Sequence, residues 1–152
     1  MRNIFLLTLT LSIAFFSACE DADSFDVRED ALVDYSTDIN GDWSLHSIKR
    51  NGTDISGQFN SSAMTLNITD GGFSLGTSTL PFPTLKTTGT AFSSGNWSFD
   101  DEFKPTNIQF TNGSDIVPVN IAMPLYGKNN SSLSLEFSLG CGATTYEYHF
   151  KK

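Results

Sequence analysis

The chain has 152 residues with a formal net charge of −8, and 39% of its residues are hydrophobic and 17% charged. This length fits one domain, and the hydrophobic share excludes a wholly disordered chain. The sequence has no basic stripe of the kind that binds nucleic acid, so we expect no nucleic-acid partner.

Residues 1–18 have the pattern of an export signal. Met1-Arg2-Asn3 is a weakly basic start, and residues 4–16 form an apolar run that is interrupted only by Thr and Ser. This run is shorter than the roughly 20 residues that cross a bilayer as a helix, and it is typical of the apolar region of a signal peptide. We therefore predict that residues 1–18 are removed.

The end of this segment, Phe16-Ser17-Ala18-Cys19, resembles a bacterial lipobox, although such boxes usually have Leu where this chain has Phe16. The resemblance implies that Cys19 becomes the N-terminus and carries acyl chains, and two or more chains hold a protein stably on a membrane. The alternative is ordinary signal cleavage with an incidental cysteine. Lipidation of Cys19 leaves Cys141 without a disulfide partner, and its place in Gly140-Cys141-Gly142 indicates a turn residue rather than a reactive thiol.

Residues 19–40 are predicted to be an acidic tether. They contain neither Gly nor Pro, whereas all 12 Gly and all 5 Pro lie from Gly41 onward. Between Glu20 and Asp42 there are nine acidic residues and one base, Arg28, and so charged a stretch does not build a core. Acids directly after Cys19 also resemble the surface-export signal of Bacteroidetes-type lipoproteins, which implies an outer-membrane protein displayed on the cell surface. A spacer that holds a periplasm-facing domain off a negative membrane is the alternative.

The region 41–152 has the pattern of an all-β domain, because apolar and polar residues alternate in short segments that end in turn residues. Residues 80–83, Leu-Pro-Phe-Pro, are predicted to be a loop, since proline donates no hydrogen bond to a strand ladder. The predicted strands are 43–50, 64–69, 73–75, 90–93, 96–99, 107–110, 117–124, 132–139 and 145–150. Pro118 and Pro124 indicate that the segment 117–124 is an edge, a bulge or an irregular strand.

Connections as short as these leave no room for crossover helices, so the sheet is predicted to be antiparallel. Closing it removes the exposed edges, which gives a small up-and-down β-barrel of about eight strands. Gly41-Asp42-Trp43 resembles the lipocalin signature, and Asn51-Gly52, Gly95-Asn96-Trp97-Ser98-Phe99 and the segment 146–150 extend the likeness. With the lipobox, region 41–152 is similar to the lipocalin-like (calycin-like) domain lipoproteins of the Bacteroidetes type. The resemblance implies that Gly41 and Trp43 close one end of the barrel.

The first functional hypothesis is a binding module that holds a small hydrophobic or amphipathic molecule inside the barrel, with the loop 80–83 over its mouth. For each inward candidate, plain core packing is the alternative. The candidates are Met64, Leu66, Ile68, Phe73, Trp97, Ile108, Phe110, Ile121, Leu135, Phe137, Tyr146 and Tyr148.

The second hypothesis is a non-enzymatic module with a filled barrel that acts through its outer face or loops in a surface or envelope protein assembly. Its contacts would be exposed loop side chains, namely Phe59, Phe82 and Phe103. An internal void larger than ~300 Å³ favours the binding module, whereas a filled interior favours the assembly module.

The sequence predicts no catalytic or metal site. His46 and His149 fall on the first and last strands and could join Glu147 in a surface metal site, but their predicted outward phase indicates polar cover instead. Asp100-Asp101-Glu102 is interpreted as a turn rather than a cation site. With no acid–base constellation in the sequence, we expect neither enzymatic activity nor a cofactor.

Overall fold

The computed structural model describes residues 34–60, 64–76, 80–84, 89–140 and 142–152. The compact unit that contains the barrel spans Asp34–Lys152. The predicted signal peptide, the lipidation of Cys19, the tether as far as residue 33 and the turn at Cys141 all lie outside the described residues. Within the described ranges, no helix is both long enough and apolar enough to cross a membrane.

Nine strands follow one another along the described chain, with a 3₁₀ turn at Ser56–Gln58. They are β1 (Gly41–Arg50), β2 (Thr53–Asp54), β3 (Thr65–Thr69), β4 (Gly72–Leu75), β5 (Ser94–Phe99), β6 (Asn107–Asn112), β7 (Asp115–Ile121), β8 (Ser132–Ser138) and β9 (Thr145–Lys151).

The strands form a closed antiparallel barrel, which confirms the predicted fold class. The sheet order is β2-β1-β3-β4-β5-β6-β7-β8-β9, and β1 also pairs with β9, so eight strands close the ring. The short β2 is an addition that pairs only with the end of β1, through Lys49↔Asp54 and Arg50↔Thr53. Because each strand pairs with the next around the ring, the topology is up-and-down.

The observed strands differ from the predicted ones mostly by one or two residues at either end, and β2 was not predicted. Residues 90–93 are not a separate strand, and β5 is one strand that begins at Ser94. Pro118 lies within β7, opposite Gln109 of β6. Since β7 pairs with β8 only at Asn120 and Ile121, Pro118 occupies a stretch with one unpaired edge, where its missing N–H is tolerated.

Side chains from alternate positions fill the interior of the barrel, as in other eight-stranded barrels whose width just suits side chains. The strand positions within it are almost completely buried. They are Trp43, Leu45, Ile48, Leu66, Ile68, Ile108, Phe110, Leu133, Leu135, Tyr148 and Phe150.

One end of the barrel, here named the capped end, is covered by the chain that enters β1. Ile39 is fully buried there, and its carbonyl oxygen accepts a 2.8 Å hydrogen bond from Nε1 of the buried Trp43. Gly41 has φ +137, and Lys152 Cε is 3.0 Å from the position of a Cβ, so a side chain at residue 41 would be both strained and crowded. The last residues of the predicted tether therefore pack against the barrel, because Ile39 supplies an apolar side chain that the acidic composition conceals.

Candidate functional site: the mouth cleft

The opposite end of the barrel carries a cleft of about 470 Å³, here named the mouth cleft. Residues 80–84, here named the mouth loop, and residues 91–93 form one side of it, and the ends of β3, β4 and β8 contribute the other. The lining residues are Met64, Leu75, Gly76, Leu80, Pro81, Phe82, Thr84, Ala91, Phe92, Ser93, Leu139 and Gly140.

The walls of the mouth cleft are mainly apolar, and the polar side chain of Thr84 already makes a hydrogen bond within the protein. The Thr84 hydroxyl is buried and donates a hydrogen bond to the carbonyl oxygen of Phe92. In return, the Phe92 N–H donates to the Thr84 carbonyl oxygen at 2.8 Å. This reciprocal pair of hydrogen bonds joins the mouth loop to the segment before β5. The side chains around the opening, Leu75, Leu80 and Leu139, are partly buried.

Phe82 projects from the mouth loop into the barrel, where its side chain is only 7% exposed. Its ring centroid lies 5.4 Å from that of Phe110 and 5.9 Å from that of Phe137. The predicted position of the loop at the barrel mouth agrees with the structure, but the expectation that Phe82 is an exposed contact is wrong. Its ring is buried because it packs against Phe110 of β6 and Phe137 of β8 inside the barrel.

Tyr148 of β9 holds the base of the mouth loop from inside the barrel. Its hydroxyl donates a 2.9 Å hydrogen bond to the carbonyl oxygen of Pro81, and its ring lies 4.8 Å from Phe137 in an edge-to-face contact. Burial, with a smaller contribution from Tyr146, raises the pKa of Tyr148 to about 12. The phenol is therefore neutral and acts as a hydrogen-bond donor at physiological pH.

Nine of the twelve inward candidates are buried, and Trp97, Ile121 and Tyr146 are partly buried against the core. Of the twelve, only Met64 lines the mouth cleft. The pattern of alternation missed Leu75 and Leu139 as lining residues, although each continues the inward phase of its strand, after Phe73 and Phe137. The loop residues 84 and 91–93 have no periodic signal that could have identified them.

Trp97 and Ile121 lie towards the capped end, because β5 and β7 both run in that direction. Trp97 Nε1 donates to the Thr69 carbonyl oxygen at 2.8 Å, and Trp97 lines a separate cleft of about 400 Å³ with Asp70 and Glu102. Ile121 lines a further cleft of about 450 Å³ beside Tyr126. Neither residue contributes to the mouth cleft.

His46 and His149 lie side by side on the outer surface, with ring centroids 6.1 Å apart. His149 Nδ1 is 2.6 Å from the Ser134 hydroxyl, and burial is the main cause that lowers the pKa of His149. Glu147 is paired with Lys49 at 3.1 Å. Among the residues that the structure describes, no group of three or more His, Cys, Asp or Glu side chains could hold a metal ion.

The Asp100-Asp101-Glu102 segment forms a turn that is fastened by its own carboxylates. Asp100 accepts hydrogen bonds from the Thr106 hydroxyl at 2.5 Å and from the Thr106 and Asn107 N–H groups at 2.9 Å. The Thr106 hydroxyl is the largest of the causes that lower the pKa of Asp100. The carboxylate oxygens of Asp100 thus accept hydrogen bonds that fix the start of β6.

Comparison with models of protein families, with curated proteins and with solved structures gives no match to this chain.

Proposed function

We propose that the chain is a lipid-anchored protein of the bacterial outer membrane whose barrel binds a small hydrophobic or amphipathic molecule in the mouth cleft. The observation that carries the proposal is an apolar opening of about 470 Å³ that leads directly to the buried Phe82. This volume falls within the range of small-molecule sites, which are mostly apolar with a few polar groups.

The expected affinity is modest. A ligand that buries about 300 Å² of apolar surface gains roughly 7 kcal/mol at about 25 cal/mol per Å². Part of this gain is lost to the entropy of association, so we expect dissociation constants of about tens of micromolar or weaker. The described chain begins at the capped end, so residue 34 and the mouth cleft lie at opposite ends of the barrel.

A filled-barrel assembly module is the second candidate, because side chains occupy the interior and large apolar groups are exposed near the capped end. Phe103 is 56% exposed, Met123 47% and Tyr126 69%. Phe59, also named as a contact from the sequence, is 43% exposed. These side chains would be the contacts of an envelope protein partner.

Binding of the fluorescent probe N-phenyl-1-naphthylamine tests the mouth cleft. The experiment uses the chain without residues 1–18 and with Cys19→Ser. A carboxylate in an apolar site is costly, so Leu139→Asp should weaken probe binding about tenfold or more. Ile116→Asp is the matched control, because Ile116 is 61% exposed on β7 and does not line the cleft. Equal losses in both variants, or no saturable binding, would favour the assembly module.

Membrane fractionation of the full chain in a bacterium with an outer membrane tests the anchor. Cys19→Ala should move the protein from the membrane fraction to the soluble fraction, because the acyl chains supply the membrane affinity. Protease digestion of intact cells should degrade the wild-type domain if it is displayed on the surface. A Cys19→Ala protein that stays with the membrane would contradict the anchor.

A further inference from the structure

We propose that the slot occupied by the Phe82 ring is an inner binding subsite for a planar ring that carries a hydrogen-bond acceptor. The ligand's ring takes the place of the Phe82 ring, and its acceptor receives the hydrogen bond that the Tyr148 hydroxyl now donates to Pro81. This inference rests on the proposed function, since the ligand arrives through the mouth cleft.

The occupant of the slot is a loop side chain, whereas its walls are strand side chains. Phe110 belongs to β6 and Phe137 to β8, so the sheet fixes their positions. Phe82 is held in place by the mouth loop, through the hydrogen bond to Pro81 and the Thr84–Phe92 pair. Withdrawal of the Phe82 ring therefore needs a change in the loop and no break in the barrel ladder.

The slot is continuous with the mouth cleft, because Pro81 and Phe82 themselves form part of the cleft wall. A molecule in the cleft thus contacts the ring that it would displace. The present ring makes an edge-to-face contact with Phe110, at an interplanar angle of 69°, and a tilted contact with Phe137, at 59°. Such aromatic walls favour a flat ring over a flexible aliphatic chain.

Tyr148 determines the second requirement on the ligand. The residue is 1% exposed, and Pro81 supplies the acceptor for its hydroxyl. Once the loop withdraws, a buried donor without a partner carries a free-energy penalty, so a ligand with a suitably placed oxygen is selected. Because the site is apolar and the phenol is neutral, a carbonyl or ether oxygen fits better than a carboxylate.

A matched pair of probes tests the inner subsite: 2-acetylnaphthalene, which carries a carbonyl oxygen, and 2-isopropylnaphthalene, which has nearly the same shape without it. Each displaces N-phenyl-1-naphthylamine from the chain without residues 1–18 and with Cys19→Ser. We expect the acetyl probe to bind at least fivefold more tightly. Tyr148→Phe should reduce this ratio to about one, because it removes the donor and keeps the ring.

Phe82→Ala should raise the affinity for both probes at least fivefold, since no ring has to be displaced. The result for Tyr148→Phe tests the inner subsite even if Phe82→Ala does not fold. Circular dichroism checks that both variants keep the β-sheet fold. A carbonyl preference that survives Tyr148→Phe, or an affinity that a folded Phe82→Ala lowers or leaves unchanged, would overturn the inner subsite. Probe binding that responds to Leu139→Asp but shows no carbonyl preference would overturn the subsite alone, whereas no binding of any probe would overturn the proposed function as well.

Discussion

Trp43 and Trp97 follow similar Gly-x-Trp segments, yet their indole groups lie in different environments. Trp43 is fully buried and donates to Ile39, which closes the capped end, and Lys152 Nζ lies 4.8 Å above its ring. Trp97 is partly buried and donates to Thr69 on the rim. The buried indole should therefore contribute more to the stability of the barrel.

Replacement of each tryptophan by phenylalanine tests this difference. Trp43→Phe should lower the free energy of unfolding by about 2–4 kcal/mol, because it leaves a cavity and a buried carbonyl without its donor. Trp97→Phe should lower it by about 1 kcal/mol, since water can replace the lost hydrogen bond. Urea unfolding measures both values, and equal losses would contradict the assignment of Trp43 as the closing residue.

Gly95 is required where β5 approaches β6. A Cβ atom at residue 95 would overlap the carbonyl oxygen of Thr111, so the backbone would have to shift. Gly95→Ala should destabilise the barrel by about 1–3 kcal/mol. Gly57→Ala is the control, because nothing lies within 4 Å of a Cβ there. A Gly95→Ala protein that melts at the wild-type temperature would show that the strand contact is looser than described.

The lowered pKa of Asp100 predicts that the free energy of unfolding depends on pH. Its pKa in the folded chain lies below the ordinary value of 3.8, so the folded state binds fewer protons than the unfolded state in this range. The contribution of Asp100 is therefore present above about pH 4 and is lost as the pH falls through the folded pKa. The difference in urea midpoint between the wild type and Asp100→Asn should be largest at pH 7 and should shrink steadily as the pH is lowered from 4 to 2, towards the folded pKa. A midpoint difference that is the same at pH 7 and at pH 2 would refute this role.

At the scale of elements, the ladders around the barrel are unequal. β8 pairs with β9 through seven residue pairs but with β7 through only two, Asn120↔Glu136 and Ile121↔Leu135. A short ladder opens more readily, so amides along the β7–β8 seam should exchange hydrogen faster than those between β8 and β9. Hydrogen-exchange mass spectrometry measures this directly, and equal protection on both sides of β8 would contradict it.

The strands with strict alternation were predictable from the sequence, as β3, β8 and β9 show. The period-2 pattern also gave the inward phase of Phe110 and Tyr148, because it follows from strand geometry alone. It gave no information on Phe82, since only the packing of the whole barrel determines whether a loop side chain turns inward. The burial of Ile39 was likewise not predicted, because the acidic composition before Gly41 indicates a solvated tether.

At the scale of the molecule, the two ends of the barrel differ: the entering chain covers one end, and the mouth cleft opens at the other. Residues 34–40 enter at the capped end, where the Thr37 N–H donates to Glu102 and Asp34 pairs with Lys128 at 2.8 Å. The mouth cleft lies at the other end, with the mouth loop and Phe82. The point where the described chain begins and the mouth cleft therefore lie at opposite ends of the barrel.

Amide chemical shifts recorded during a titration with 2-acetylnaphthalene test the central proposal most directly, because they locate the ligand as well as detect it. The titration uses the chain without residues 1–18 and with Cys19→Ser. We predict saturable shifts that concentrate at residues 75–76, 80–84, 91–93 and 139–140, with further shifts at Tyr148. Shifts centred on residues 104–106 and 121–126 at the capped end, or no saturable shifts, would contradict ligand binding at the mouth cleft.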